Sequence, residues 1–524
     1  MTLNPGTLNV EPGTKPNIIF IYADDLGRGM LSCYGQQHFQ TPNIDRIAAG
    51  GMRFMHAYGC SFCAPARASV LTGMHDCHRG GWTYTRGGIY RRVAEGRMTI
   101  NDISELIHTI SLNPPDDEVF LAQVPKQAGY VTAQIGKLEW GFATTGREVQ
   151  RHGWDYHYGY YDHVDCHGFY PPWMFENGNT IAIPGNTRLD CGKAPERGDT
   201  PEQNAERWDR NGRAVYSQDL FDEKILWFLR AHRDQPFFLY HPSQLPHGPI
   251  IVPEVHPSVK DNPNLTQYEK EYASMVLRLD QTVGMILDEL DRLGIADNTL
   301  LMFCSDNGHA TYYRQEGRCR SDCDLATGTR FDNVERKFYS DICGDVFDGN
   351  DGMAGLKFSN WEGGVRLPFV ARWPGVMSAG SVSDRLIANY DLLPLLADVL
   401  GLPCPEGKDG VSYLDELRGK GEGRRGAPVF FASGLGPAMV TDDGWKLKQV
   451  TVPKQNLYQL YNLNEDYREE HNCVFEQREL VEDMDRQLLF ACDGNFQNGT
   501  PNAHLVWYPG LNFHGPECHW DLAP

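Results

Sequence analysis

Short apolar runs alternate with longer amphipathic stretches along most of the chain. Five runs of five or six residues predict buried β-strands, because they are short, continuous and rich in β-branched and aromatic side chains. They lie at residues 17–22, 131–135, 236–240, 299–303 and 367–371. Helical patterns fall between them, at about 118–128 and in the amphipathic stretch 268–293. This alternation predicts an α/β fold, with helices on both faces of a parallel sheet.

Metal-binding or cationic side chains follow four of these runs, at the point where each strand should end. In chain order they are Asp24 with Asp25, Lys137, His247, and Asp306 with Asn307. Ligands of an open α/β sheet bind beyond the carboxyl ends of its strands. A solvated turn would explain any one of the four, but four together indicate a site. The oxygen donors among them favour Ca²⁺ or Mg²⁺ over zinc.

The last part of the chain has a different pattern. Residues 439–441 and 445–448 are strand candidates within a small α+β subdomain, which we expect over 426–524, after a catalytic domain over 1–425. The final stretch contains Gly, Pro, Asn and Trp but no periodicity. The polar connection 311–351 is long for a compact domain, so we expect it to form a lid or rim of the site.

Composition argues against several classes of partner. The formal net charge of −21 over 524 residues disfavours nucleic acid and anionic membranes. No apolar run approaches the roughly 18 residues that span a bilayer. The 14 cysteines are too sparse for a disulfide scaffold and match no zinc motif. The start of the chain lacks the features of a signal peptide, so we expect a cytoplasmic protein, or a periplasmic or secreted one if a leader has been removed.

Cys63 begins the run 63–73, which reads Cys-Ala-Pro-Ala-Arg-Ala-Ser-Val-Leu-Thr-Gly. Pro65 suits the first turn of a helix, and Gly73 suits its end. Cys63 then lies at a helix N-terminus, which favours an anion, and Arg67 is one turn along on the same face. On these residues alone, Cys63 is equally well a small buried apolar residue or a nucleophile.

This Cys-x-Pro-x-Arg…Leu-Thr-Gly run resembles the signature of the type I sulfatases, the formylglycine-dependent enzymes of the alkaline phosphatase superfamily. The acidic pairs and the segment 355–368, with Lys357 followed by Glu-Gly-Gly-x-Arg-x-Pro, are similar to further motifs of the family, and their order is kept over residues 17–463. The resemblance implies an alkaline-phosphatase-like fold, with a large mixed, mostly parallel sheet flanked by helices and a smaller C-terminal α+β subdomain.

In that family a sulfatase-maturing enzyme oxidises the cysteine to formylglycine, whose hydrated aldehyde is the nucleophile. The implied ligands of a divalent ion, usually Ca²⁺ with Mg²⁺ as the alternative, are Asp24, Asp25, Cys63, Asp306 and Asn307. Lys137 and Arg67 would hold the sulfate and the nucleophile, while His247 and Lys357 would serve the leaving group. One hydroxyl of the hydrate attacks sulfur and the alcohol leaves. The second hydroxyl then loses a proton, which expels sulfate and restores the aldehyde.

One position departs from the family pattern. Sulfatases usually read Gly-Lys-x-His after the second strand, whereas this chain has Glu139 in place of the histidine that contacts the nucleophile. A carboxylate there could be the base that discharges the intermediate, although it would repel a sulfate ester unless Lys137 or the metal compensates. The alternative is that Glu139 points away and the role is lost or moved. We favour the base.

Several histidines and aromatic residues are candidates for substrate binding. The segment 154–173 contains His163 and His167 among many aromatic rings, which either stack on a sugar or pack the loop itself. Three more candidates follow the signature helix and one follows the second acidic pair; they are His75, His78, Arg86 and His309. A similar stretch with two histidines occurs in sulfatases that act on sulfated sugars.

Three functions remain open on the sequence. The first is a formylglycine-dependent sulfatase acting on a sulfated glycan or sugar. The second is a phosphonate or phosphate ester hydrolase with the same nucleophile, for which Glu139 alters the charge at the anion site. The third is a non-catalytic carbohydrate-binding protein in which Cys63 is never converted. No residue pattern indicates an oligomeric state.

Overall fold

The computed structural model describes residues 15–78, 84–85, 88–94, 96–110, 117–138, 143–163, 165–188, 202, 209–314, 323–324, 327, 329–332, 336–452, 455–500 and 505–506. Arg86 and Glu139 lie outside the described residues, as do part of the predicted lid and most of the final stretch.

Within the described part of the chain, ten strands form one mixed sheet, which confirms the predicted fold class. In spatial order they are Ser381–Ala388, Met52–Tyr58, Arg366–Arg372, Thr299–Ser305, Asn17–Ala23, Phe237–Pro242, Val131–Gly136, Tyr156–Gly159, Trp173–Glu176 and Asn179–Ala182. All five predicted strands are present. The strand Arg366–Arg372 runs antiparallel to both of its neighbours, and the two edge strands after Tyr156–Gly159 are also antiparallel.

The central strand Asn17–Ala23 is buried on both faces. Ile19 and Ile21 pack into one apolar cluster, whereas Phe20 and Tyr22 pack into another on the opposite side of the sheet. Successive side chains of a strand point to opposite faces, so this continuous apolar run requires cover on both sides.

Helices provide that cover. Within the described residues they are Pro42–Ala49, Cys63–Thr72, Arg91–Ala94, Ile100–Ile110, Gln123–Gln127, Gly146–Arg151, Ser217–Ala231, Pro257–Lys260, Gln267–Leu293, Ser340–Cys343, Glu362–Val365, Leu392–Val399, Leu414–Leu417 and Arg478–Ala491. The predicted long helix is confirmed as Gln267–Leu293, and its start is fixed by a capping box between Thr266 and Glu269. None of the helices in the described ranges is long and apolar enough to cross a membrane.

The predicted helix over 118–128 is wrong at its start, because only Gln123–Gln127 is helical. The N–H of Leu121 donates instead to the carbonyl of Leu71, at 2.7 Å, near the end of the signature helix. A tertiary hydrogen bond therefore replaces the first helical turn that the apolar pattern indicated.

A second, antiparallel sheet lies in the C-terminal part. Its strands are Val429–Phe431, Ala438–Val440, Trp445–Val452 and Gln455–Asn462. The helix Arg478–Ala491 packs on it through Met484 and Leu488, which share an apolar cluster with Leu447 and Leu460. This is the small α+β unit that was expected, while its boundary at residue 426 stays a prediction.

Candidate active site

The register of two neighbouring strands brings the acidic pairs together. Ala23 lies opposite Ser305 in the parallel ladder, so Asp24 and Asp306 leave the sheet side by side. The N–H of Asp25 donates to Asp306 Oδ1 at 3.0 Å. Asp25 has a φ of 64°, in the left-handed region that Asp tolerates better than most residues.

The signature helix starts at Cys63 and ends at Thr72, with Gly73 at a φ of 70° as its left-handed cap. Ligand-type atoms of Cys63, Asp24 and Asp306 all lie within 4.8 Å of one another. One turn along, Arg67 Nη2 donates to Asp306 Oδ2 at 3.2 Å and lies 3.8 Å from Asp24 Oδ1. The helix start and both acidic strand ends therefore form one buried cluster.

Two lysines and a histidine complete this cluster. Lys137 donates a hydrogen bond to Asp24 Oδ2. Lys357 Nζ donates to Asp25 Oδ2 at 2.7 Å and lies 3.1 Å from His247 Nε2. The other ring nitrogen of His247 donates to the carbonyl of the following residue, so Nε2 is the nitrogen that faces the site.

Burial and charge set the protonation of these groups. Burial raises the pKa of the Cys63 thiol, and this outweighs the opposing effect of Lys137 and Lys357. Burial alone would lower the pKa of each lysine, but Asp24 raises that of Lys137 and Asp25 that of Lys357. Both lysines are therefore cations at neutral pH, and Cys63 without modification is a thiol with little nucleophilic character.

The oxygen donors fit a divalent cation. Asp24 Oδ1 and Asn307 Oδ1 are buried and accept no hydrogen bond among the described residues. Burial and the Asp24 carboxylate raise the pKa of Asp306 well above its usual range, as expected for acidic groups packed together without a cation. Oxygen-only donors of this kind suit a hard ion.

Two of the predicted substrate residues lie beside this cluster. The rings of His167 and His247 stack with their centres 3.8 Å apart, and His167 Nε2 lies 4.0 Å from Asp24 Oδ2. The ring centre of His163 is 4.5 Å from that of His167. Both residues are buried.

Comparison with known proteins gives the family. The sulfatase family model matches residues 16–402, and the model of the N-sulphoglucosamine sulphohydrolase C-terminal region matches residues 356–491. The chain belongs to the sulfatase family. As a sulfuric ester hydrolase, it fits the chemistry that the strand-end residues and Cys63 indicated.

Relatives of this sulfatase include enzymes named for sugar sulfates. An N-acetylgalactosamine-6-O-sulfatase of Bacteroides thetaiotaomicron is 28% identical over 92% of this chain and 94% of its own length. Human N-acetylgalactosamine-6-sulfatase is 30% identical over 80% of this chain and 68% of its own. A solved structure from work on glycosaminoglycan metabolism in B. thetaiotaomicron superposes with a TM-score of 0.68 at 26% identity, over 91% of this chain and 99% of that one.

Three histidines predicted for the substrate make other contacts in this sulfatase. His75 and His78 stack at 4.1 Å, and His78 lies 3.2 Å from both Asp409 Oδ1 and Asp493 Oδ1. The N–H of Cys77 donates to His75 Nδ1, which leaves the ring proton on Nε2 and disfavours metal binding there. These two histidines therefore connect the end of the signature helix to later parts of the chain.

His309 is fully buried, with Nε2 at 2.8 Å from the Tyr313 hydroxyl and 3.5 Å from Asp345 Oδ2. Both neighbours lie in the predicted lid 311–351, Tyr313 on the short helical turn Tyr312–Arg314 and Asp345 further along. The side chain of His309 thus contacts Tyr313 and Asp345 rather than the cluster around Cys63.

Tyr312 is a site residue that the sequence did not indicate. Its hydroxyl donates to Asp25 Oδ2 and lies 3.4 Å from Lys357 Nζ. It falls inside the polar connection 311–351, which has neither periodicity nor a motif and was predicted only to form a lid or rim. The only signal was its place six residues after Asp306, close to a strand end that carries the site.

Proposed function

We propose that this sulfatase hydrolyses a sulfate ester on a carbohydrate, with formylglycine made from Cys63 and a bound Ca²⁺ ion. The observation that carries the proposal is the single buried cluster of Cys63, carboxylates and cations described above. The sugar is suggested by relatives that are named N-acetylgalactosamine 6-sulfatases. A sulfatase-maturing enzyme is the partner that conversion of Cys63 requires.

Charge balance at the site supports an anionic substrate. When all three are ionised, the carboxylates of the site are matched in number by three buried cations. The carboxylates are Asp24, Asp25 and Asp306, and the cations are Arg67, Lys137 and Lys357. A divalent ion would leave the site positive inside a protein of net charge −21. Such a local positive field attracts a sulfate ester and stabilises the charge that develops as the S–O bond breaks.

The protein groups then divide the work by position. Four side chains with oxygen donors would hold the ion, and the ion would supply positive charge next to the sulfate. These proposed ligands are Asp24, Asp25, Asp306 and Asn307. Arg67 and Lys137 would bind the sulfate oxygens. His247 Nε2 would give a proton to the departing sugar oxygen, and Lys357 would stabilise the charge on it.

A small cavity adjoins Lys357. Phe358 and Arg330 line it, together with Asp332 and Ser359. Phe358 has a φ of 77°, which is costly for a residue with a side chain, and its ring lies 5.0 Å from Lys357 Nζ. Strain of this kind is often found at functional sites, which supports a role for this segment, beside Lys357, in binding the leaving group.

A substrate panel tests the proposed function. We expect kcat/KM for a sugar sulfate such as N-acetylgalactosamine 6-sulfate to exceed that for a phosphonate monoester by at least about a hundredfold. The alternative of a phosphonate or phosphate ester hydrolase predicts the reverse order. Binding of the sugar sulfate without any turnover, in protein from the native host whose Cys63 is still an unmodified thiol, would instead favour the carbohydrate-binding alternative.

The Glu139→Gln variant tests whether Glu139 is the base that discharges the sulfated intermediate. We expect kcat on a sugar sulfate to fall by about tenfold to a hundredfold, with loss of the acidic limb of its pH profile, because the amide cannot accept a proton. The matched control is Glu105→Gln, on the exposed face of the helix Ile100–Ile110. An unchanged pH profile in Glu139→Gln would contradict the assignment.

A further inference from the structure

Tyr312 lies over the leaving-group side of the proposed site. It begins the short helical turn Tyr312–Arg314, six residues beyond Asp306, and is only 3% exposed. Its ring centre is 5.2 Å from that of His247. The phenol therefore packs against the imidazole that faces the proposed site.

Gly248 makes room for this ring. A Cβ atom at position 248 would lie 2.5 Å from Tyr312 Cδ1, closer than side chains in proteins approach one another. The loop that carries His247 and the turn that carries Tyr312 can therefore meet only because residue 248 has no side chain. The segments around Gly248 and Tyr312, far apart in the sequence, therefore pack closely against each other here.

The hydroxyl group joins a network centred on one carboxylate oxygen. Asp25 Oδ2 accepts hydrogen bonds from Tyr312 and Lys357, and it lies 3.2 Å from His247 Nε2. The other oxygen, Oδ1, accepts from Asn307 Nδ2 at 2.8 Å. Asp25 thus contacts the proposed metal ligand Asn307 through one oxygen. Its other oxygen contacts Tyr312 and the two leaving-group residues, His247 and Lys357.

We propose that Tyr312 is a positioning residue that holds His247 and Lys357 in the geometry needed to release the sugar. This inference rests on the proposed function. A sugar alkoxide is a poor leaving group, so its departure needs a proton and a cation placed accurately on one oxygen. The tyrosine ring limits the movement of the imidazole, and its hydroxyl, with Asp25, limits the movement of the ammonium group.

The Tyr312→Phe variant tests this role, because it keeps the ring and removes the hydroxyl. We expect kcat on a sugar sulfate to fall by about tenfold to a hundredfold with little change in KM, since small misplacement of reacting groups costs rates of that order. On para-nitrophenyl sulfate we expect a loss of less than about threefold, because a nitrophenolate leaves with little help from an acid.

Tyr313→Phe is the matched control. Tyr313 is equally buried on the same turn, but its hydroxyl contacts Asp345 and His309 instead of the leaving-group pair. We expect it to change both substrates by the same factor. Gly248→Ala is a second test that keeps the phenol but displaces its ring from His247, and it should reproduce the selective loss on the sugar sulfate.

Equal losses on both substrates in Tyr312→Phe, or no loss on either, would overturn the positioning role while leaving the sulfatase assignment intact. If Tyr312→Phe does not fold, an equal effect of Gly248→Ala on both substrates would have the same meaning. Failure of the wild-type, converted enzyme to cleave any sulfate ester would overturn the proposed function itself, and this inference with it.

Discussion

Replacing Cys63 with alanine is expected to lower kcat/KM on a sugar sulfate by at least about a thousandfold, the order of loss seen when a catalytic nucleophile is removed. Alanine leaves no atom that can become an aldehyde, while the helix start and the surrounding cations stay in place. The residue is small and fully buried, so the fold should tolerate the change. The check is steady-state kinetics on purified protein, with melting temperature measured in parallel.

Cys304→Ala is the matched control, because Cys304 is also a buried cysteine but belongs to the strand Thr299–Ser305 and has no proposed role in the reaction. We expect it to lose some stability, as core truncations do, and to keep kcat/KM within about threefold. An enzyme that kept more than about a tenth of its activity after Cys63→Ala would contradict the covalent mechanism.

The second large effect concerns the carboxylate cluster. Asp306→Asn is expected to lower kcat/KM by at least about a hundredfold and to abolish stabilisation by Ca²⁺. Asp306 accepts from the Asp25 N–H and from Arg67, so the loss of its charge leaves a buried guanidinium without its closest partner. It also removes one proposed ligand of the ion.

Thermal unfolding separates the loss of a Ca²⁺ ligand from the loss of the carboxylate that pairs with Arg67. After chelation, wild-type protein given Ca²⁺ at a hundred times its Kd should gain about 2.7 kcal/mol of stability. Asp306→Asn should show no such gain, whereas Asp345→Asn, which alters a buried carboxylate bonded to Ser340 and Tyr313, should be less stable but keep the full response. A Ca²⁺ response in Asp306→Asn equal to that of wild type would exclude this residue as a ligand. The same titration with Mg²⁺ identifies the preferred ion.

Much of the fold and part of the site could be predicted because they depend on local pattern. Buried strands in a parallel sheet are continuous apolar runs, and their ends collect ligands, so Asp24 and Asp306 could be placed near each other from sequence. The strand Met52–Tyr58 was missed because three of its seven residues are only half-buried, which breaks the apolar run. The antiparallel direction of Arg366–Arg372 depends on how the chain crosses the sheet, which its own residues do not encode.

Contacts between distant segments could not be predicted. Tyr312 meets His247 only because Gly248 lacks a side chain, and nothing in the sequence pairs those two positions. His78 was considered for the substrate from its nearness to the signature helix, whereas the structure bonds it to Asp409 and Asp493, far along the chain. In each case the partner is set by tertiary packing rather than by spacing along one element.

The central claim is that Cys63 becomes the nucleophile, and mass spectrometry of the peptide that contains it tests this most directly. Protein from the native host, or produced together with a sulfatase-maturing enzyme, should carry an aldehyde at position 63 that hydrazine reagents trap. Sulfatase activity should rise in proportion to the aldehyde fraction and disappear on trapping. A fully active preparation in which Cys63 is an unmodified thiol would contradict the account.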